Sequence, residues 1–355
     1  MNKLKKVTAL MLCCAFMIST LTSCSEPNES SSAAEAESAP EASSVSEETP
    51  SDSKAAPVEV PHSDKFTVND GKVTFTDFFG KETTLTINPK RVVTLTNNFH
   101  DLWYDCGGTA VGRVDEPLTS LRSEEAKAVD IVGSVNQVSL ENVLAKEPDL
   151  VIIKCRDKTH QEMLPTFESA GIEYLAWDYE TFEGFLETLE LYCTLTGHPE
   201  LYEKWAVDNI QRVTAVRDIC AKQTPADIVL LIPSANKGMQ ALNTTGYLGN
   251  VLTDLNTVNV AFADGLNEGQ RGFPISMEKL VELDPKFILS RGGSGDGTEE
   301  SARAIFETNP LWFELTAVKE DRYHHLPSDL FLYKANVRYG EAYEYLAKIL
   351  YPDAF

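Results

Sequence analysis

Val138-Ser139-Leu140-Glu141-Asn142-Val143-Leu144 precedes Glu147-Pro148-Asp149-Leu150-Val151-Ile152 in the chain. At an offset of 137 residues, Ile275-Ser276-Met277-Glu278-Lys279-Leu280-Val281 precedes Asp284-Pro285-Lys286-Phe287-Ile288-Leu289. In each copy a serine stands where a helix begins, because its hydroxyl can accept from a free first-turn N–H. A glutamate follows in the first turn, where the helix dipole favours negative charge. A proline then stops the helix, and the apolar run behind it has the length of a buried strand. Two such helix–turn–strand units at corresponding places describe a chain with two similar halves.

Outward from these units the same rhythm repeats. Strand-length apolar runs occur at Arg91–Thr96, Leu150–Lys154, Glu173–Trp177, Ile228–Ile232 and Phe287–Ser290. Helical patterns lie near 98–106, 139–146, 159–170, 181–196, 246–255, 276–283, 299–307 and 336–350. Strands alternating with helices predict parallel sheets covered by helices on both faces. Val73-Thr74-Phe75 and Thr83–Ile87 flank Phe79-Gly80-Lys81 and read as a hairpin ahead of the first unit. One segment breaks the rhythm: His198 to Lys222 has a proline only at 199, in the first turn, and Leu201, Trp205, Ile210, Val213, Val216 and Ile219 recur at helical spacing. About 25 residues at 1.5 Å each would span nearly 40 Å, enough to bridge the halves.

The formal charge of −23 over 355 residues is unevenly spread. Residues 1–23 carry Lys3, Lys5 and Lys6 and no acid. Residues 25–64 hold −9, leaving −17 for residues 65–355. A balance of this sign excludes nucleic acid as a partner, since phosphate contacts need clustered Lys and Arg. Val7–Leu21 is nearly all apolar, the length of a signal-peptide core and short of a spanning helix. It ends in Leu21-Thr22-Ser23-Cys24, which resembles the lipobox of bacterial lipoproteins. The resemblance implies cleavage before Cys24, lipid on that cysteine and residence on the outer face of the cytoplasmic membrane. Residues 25–64 contain eleven Ser, seven Ala, eight Glu and five Pro without an aromatic ring. Such a stretch cannot bury enough apolar surface to offset its ordering entropy, and it reads as a disordered spacer. The domain boundaries expected are 1–23 leader, 24–64 lipidated Cys and spacer, 65–197 first lobe, 198–223 connecting helix and 224–355 second lobe.

The body resembles the substrate-binding lipoproteins of ABC importers for iron complexes and cobalamin. The resemblance rests on Asn88-Pro89-Lys90-Arg91-Val92-Val93, Ala110-Val111-Gly112-Arg113, the Ser139 unit, Ala170-Gly171-Ile172 and Leu195-Thr196-Gly197. In the second half it rests on the Ser276 unit, Ala317-Val318-Lys319 and Arg322-Tyr323. It implies an α/β fold of two doubly wound parallel-sheet lobes joined by one long rigid helix, the class III periplasmic-binding-protein fold. It implies a monomer that performs no chemistry, holds an iron chelate such as a ferric siderophore between its lobes, and delivers it to a permease dimer with its ATPase. Glu141 and Glu278 are the implied docking contacts, one carboxylate per lobe for arginines of the permease. Heme or cobalamin as ligand, or a sensing or adhesive surface lipoprotein on the same fold, are the alternatives.

Ligands of parallel α/β sheets sit outside the carboxyl ends of strands. Those ends nominate Asn98, His100, Arg113, Arg156, Trp177 and Tyr179 in the first lobe, and Arg271, Arg291, Tyr333 and Arg338 in the second. So many arginines in so acidic a protein point to an anionic ligand, and the aromatics suit a flat or chelated one. Around Tyr247-Leu248-Gly249 the second half resembles heme-binding relatives, but Asn243-Thr244-Thr245-Gly246 lacks the axial His found there. No resident metal or cofactor is expected. His324 and His325 are adjacent in a strand and face opposite ways. The Gly-rich run Arg291–Gly297 lacks a nucleotide-binding pattern, and no Gly-x-Ser-x-Gly or His-Glu-x-x-His marks an enzyme. Cys106, Cys155, Cys193 and Cys220 show no C-x-x-C, and their spacing leaves pairing open.

Overall fold

A computed structural model describes residues 58–117, 121–234, 238–263, 265, 270–292 and 298–355. The expected leader, Cys24 and most of the expected spacer lie outside the described residues, as does the Gly-rich run from 293 to 297.

The body opens with an antiparallel meander of β1 (Phe66–Asn69), β2 (Lys72–Thr76) and β3 (Glu82–Thr86). The first lobe follows as β4 (Val92–Thr94), α1 (Asn97–Asp105), β5 (Gly112–Asp115), α2 (Glu124–Lys127), β6 (Ile131–Ser134), β7 (Gln137–Val138), α3 (Leu140–Ala145), β8 (Leu150–Ile152), α4 (Lys158–Ala170), β9 (Glu173–Leu175) and α5 (Phe182–Thr196). Its sheet order is β7-β6-β5-β4-β8-β9. After α6 (Glu200–Cys220) the second lobe contains β10 (Ala226–Ser234), β11 (Gly238–Leu242), α7 (Gly246–Asp254), β12 (Thr257–Asn259), β13 (Gly272–Pro274), α8 (Met277–Leu283), β14 (Phe287–Arg291), α9 (Glu299–Phe306), α10 (Thr316–Lys319), β15 (Tyr323–Leu326), α11 (Ser328–Phe331) and α12 (Tyr339–Leu350). Its sheet order is β13-β11-β10-β14-β15, with β12 on the start of β10.

The architecture is two α/β lobes joined by a long helix, and the sheets are mixed rather than wholly parallel. Among the described strands, β6–β7 is the antiparallel pair of the first lobe's sheet, and β10–β11 and β11–β13 are those of the second. Two or three residues separate β6 from β7 and β10 from β11, room for a hairpin and far too little for a parallel crossover.

The repeated units fold as their chemistry dictates. Ser139 Oγ accepts from Asn142 N–H and Ser276 Oγ from Lys279 N–H, both at 3.2 Å. Each strand that follows buries both faces. Leu150 and Ile152 join one apolar cluster and Val151 another; Phe287 and Leu289 divide from Ile288 in the same way. The largest cluster runs through both lobes, lined by α5, α6, α7 and α12.

Helix α6 has 21 residues, about 30 Å at 1.5 Å per residue and shorter than the sequence pattern predicts. Its buried stripe is Tyr202, Ala206, Asn209, Val213, Val216 and Cys220, with Leu201, Trp205 and Ile210 only partly covered. Asn209 is fully buried; its amide donates to Val337 O at 2.9 Å and accepts from Gly340 N–H at 2.8 Å, fastening α6 to α12. A Cβ on Gly340 would come within 2.8 Å of Arg212 Cβ, so the two helices meet through the missing side chain. Just ahead of the meander, the last residues of the expected spacer are strapped onto α5 and α6. Tyr202 Oη donates to Pro61 O, and Glu190 accepts from Ser63 N–H at 2.7 Å and pairs with His62.

Candidate functional site

The lobes meet through loops at the carboxyl ends of the first lobe's strands, and the space beside these contacts is the candidate ligand cleft. On the first lobe these follow β4, β5, β8 and β9. Glu116, just beyond β5, accepts from Asn97 N–H at 2.5 Å, and burial raises its carboxyl above the usual range. Across the cleft half-buried Tyr333 comes near enough to Glu116 for burial and that carboxylate to raise its phenol.

A polar seam joins the lobes at the base. Asn98 Oδ1 accepts from Lys334 N–H at 2.9 Å, and Asn98 O accepts from Asn336 Nδ2 at 2.9 Å. Tyr179 Oη donates to Asn336 Oδ1 at 2.7 Å. Lys334 reaches Asp178 at 2.6 Å and donates to Tyr179 O, while its ammonium lies 3.9 Å from the Tyr179 ring centroid. Burial lowers the Lys334 ammonium and Asp178 opposes that shift. A buried cation held this way costs several kcal/mol if its carboxylate is removed, so the seam fixes how the lobes meet.

Beside the seam stand three arginines. Arg156 of the first lobe is shared between Asp178 and Glu180, each at 3.4 Å. Arg271 of the second lobe stands 4.0 Å from Glu180, its side chain 75% exposed. Arg291, at the end of β14, is half-buried and has no ion-pair or hydrogen-bond partner among the described residues. Burial, together with the like charge of Arg271, lowers its guanidinium below the ordinary value. Two neighbouring cations, of which Arg291 is short of solvent and, among the described residues, has no carboxylate partner, form a receptor for negative charge.

The remaining nominated residues lie elsewhere. His100 is in the interior of the first lobe: Nδ1 meets Thr94 Oγ1 at 2.7 Å and Nε2 meets Ala126 O at 3.0 Å. Burial pushes its imidazole down to about 4, so it is a neutral core histidine and not a ligand presented to the cleft. Arg113 was expected at a strand's end; β5 instead runs on to Asp115, and the buried guanidinium donates to Val114 O and Lys127 O inside the lobe. Trp177 is a core residue, donating to Thr188 Oγ1 at 2.9 Å and packing edge-on against Phe75. Tyr179 and Asn98 belong to the seam. Arg338 is held by Asp329 at 2.7 Å and Glu341 at 2.6 Å. Tyr247 packs edge-on against Tyr339 in the core.

Burial alternates from Trp177 to Glu180, so the nominated Trp177 and Tyr179 are the inward set, and Asp178 and Glu180 the set that meets the cleft cations. That alternation is the signal by which the two acids could have been found. Among the described residues no cluster of three or more His, Cys, Asp or Glu could hold a metal ion. All four described cysteines are buried free thiols. Glu141 and Glu278 are both exposed, in the first turns of α3 and α8.

Residues 92–330 match the family described as periplasmic binding protein. The Fe(3+)-citrate-binding protein YfmC of Bacillus subtilis is 25% identical over 256 residues, 70% of this chain and 76% of the relative. The vitamin B12-binding protein of Pectobacterium carotovorum is 24% identical over 213 residues, 59% of this chain and 73% of that protein. The crystal structure of an ABC transporter substrate-binding protein from Listeria monocytogenes superposes with a TM-score of 0.60 at 20% identity, covering 75% of this chain and 99% of that one. The match over most of the folded body, on two lobes joined by one helix around a cleft, leads to one conclusion: the chain belongs to the periplasmic binding protein family.

Proposed function

We propose that this protein captures an anionic iron chelate, a ferric siderophore or its like, between its lobes and hands it to an ABC importer. The family is one of solute-binding proteins, not enzymes. One observation carries the choice of ligand charge: Arg291 is half-buried beside Arg271 and, among the described residues, has no carboxylate partner. An anion there would relieve both the repulsion and the desolvation. The name of YfmC, an Fe(3+)-citrate-binding protein, supports iron as the cargo. Delivery would use Glu141 and Glu278, one exposed carboxylate per lobe, as handles for permease arginines. The anchor would be lipid on Cys24, so Cys24→Ser should move the protein from membrane to soluble fractions.

Cobalamin is the second reading, supported by the name of the vitamin B12-binding relative. Quenching of tryptophan fluorescence by ferric citrate, ferric siderophores, heme and cobalamin separates them. Tight binding of an anionic ferric chelate is expected. Tight binding of cobalamin alone would sink the iron reading.

A further inference from the structure

The turn between β2 and β3 is closed by several hydrogen bonds, yet it leaves two phenylalanines substantially exposed. Asp77, buried to 6% exposure, accepts through Oδ1 from the N–H groups of Phe79 and Lys81, each at 2.9 Å. Its own N–H donates to Lys81 O, and its carbonyl accepts from Gly80 N–H, both at 2.9 Å. Gly80 sits at φ +79°, where a side chain would be strained. The clamped turn leaves Phe78 and Phe79 at 39% and 43% exposure, edge to face with centroids 5.5 Å apart. A single exposed apolar residue is ordinary, but two adjacent rings locked in place present a defined aromatic surface.

This surface is continuous with the cleft. Phe78 N–H donates to Ala176 O at 2.8 Å, directly after the carboxyl end of β9. The Arg156 guanidinium lies 5.1 Å from the Phe78 centroid, within cation–π range. From there Arg156 reaches Asp178 and Glu180, and Glu180 faces Arg271 on the other lobe. Phe78 thus forms one side of the arginine that the first lobe offers to the ligand.

We propose that Phe78 and Phe79 are an aromatic lip of the ligand site. The lip takes a flat aromatic part of the ligand, while Arg156, steadied on the Phe78 face, takes negative charge attached to that ring. The ligand class this selects is an anionic ferric chelate with aryl donors, of which a ferric catecholate is the simplest, over an aliphatic carboxylate chelate. The proposal rests on the reading of the cleft as a chelate site, and the experiment separates the two.

The full-length protein and its Phe78→Ser, Phe79→Ser double variant are titrated with ferric 2,3-dihydroxybenzoate and with ferric citrate, following tryptophan fluorescence. The double variant should bind the catecholate about tenfold or more weakly, the scale of one lost aromatic contact, and ferric citrate within about twofold. A 4-fluorophenylalanine at position 79 of the otherwise unchanged protein should shift its fluorine resonance on adding the catecholate, a readout that does not depend on the variant's folding. Equal weakening of both chelates, or a silent fluorine signal at saturation, overturns the lip. Wild-type binding of citrate but not catecholate also overturns it and leaves the import reading standing. Loss of uptake at unchanged affinity overturns it in favour of a protein contact. Wild-type binding of no anionic ferric chelate overturns the iron-chelate reading, and the lip with it.

Discussion

The two lobes start from the same local unit and end in different surroundings. Ser139–Ile152 and Ser276–Leu289 share a capping serine, a first-turn glutamate, a proline and a doubly buried strand. In the first lobe that strand lies between two parallel neighbours, β4 and β9. In the second its neighbours β10 and β15 are also parallel to it, but β10 continues into an antiparallel pair with β11. The polar interiors differ as well. The first lobe encloses His100 and His160, whereas His324 and His325 of the second are only half-buried. At the cleft the first lobe offers an arginine already shared by two acids, and the second an arginine that has none among the described residues. Equal capping chemistry therefore makes equal units, and the environment of each unit decides what its lobe does.

The comparison can be broken first at the importer. If each lobe provides one handle, Glu141→Arg with Glu278→Arg should abolish uptake while ligand affinity stays within about twofold. Normal transport by the double variant would end the docking proposal. Next comes the cleft. Arg291→Ala should weaken an anionic chelate about a hundredfold, and Arg156→Ala about tenfold, because Arg156 is more exposed and its acids already neutralise it. Isothermal titration of both variants tests this, and equal losses would remove the distinction between the lobes.

Acid should separate the lobes too. Burial holds His100 neutral with its imidazole pushed down to about 4, whereas the unfolded chain binds that proton near 6.5. Its contribution is whole above pH 6.5 and is lost as pH falls toward 4, about 2 kcal/mol between pH 7 and pH 5. Asp105, whose carboxyl burial pushes up to about 7, acts in the opposite sense over the same window. The difference between wild type and His100→Gln isolates the histidine: urea unfolding should show a flatter pH dependence in the variant. Hydrogen exchange should place the acid loss in the first lobe. The smallest effect is the most even. Ser139→Ala and Ser276→Ala should each cost about 1 kcal/mol, and a large disparity in their unfolding midpoints would show that the two caps are not equivalent.

The helices and strands were legible because their signals are local. Periodicity marked α4, α5 and α12, and the serine and proline of each repeat bounded α3 and α8. Short strands such as β7 and β13 were not legible, since two or three residues carry no period. Arg156 and Arg291 were nominated by their place after β8 and at the end of β14, and Arg271, also nominated, stands directly ahead of β13; the structure brings Arg156 and Arg271 to the same Glu180. His100, Trp177 and Arg113 were nominated by the same rule and lie inside, because position after a strand says nothing of which way a side chain turns.

By itself the sequence determined the alternation of strands and helices, the duplicated unit, the long helix between the halves and the acidic, Ser-rich segment ahead of them. Each is written in neighbours within a few residues, through capping, chain stiffness and the spacing of apolar groups. Only the tertiary structure decided which arginine has no partner among the described residues, which aromatics line the seam, and that Phe78 stands beside Arg156. Those pairings join residues far apart in the chain, such as Tyr179 with Asn336 and Glu180 with Arg271, and they form only once the lobes have met.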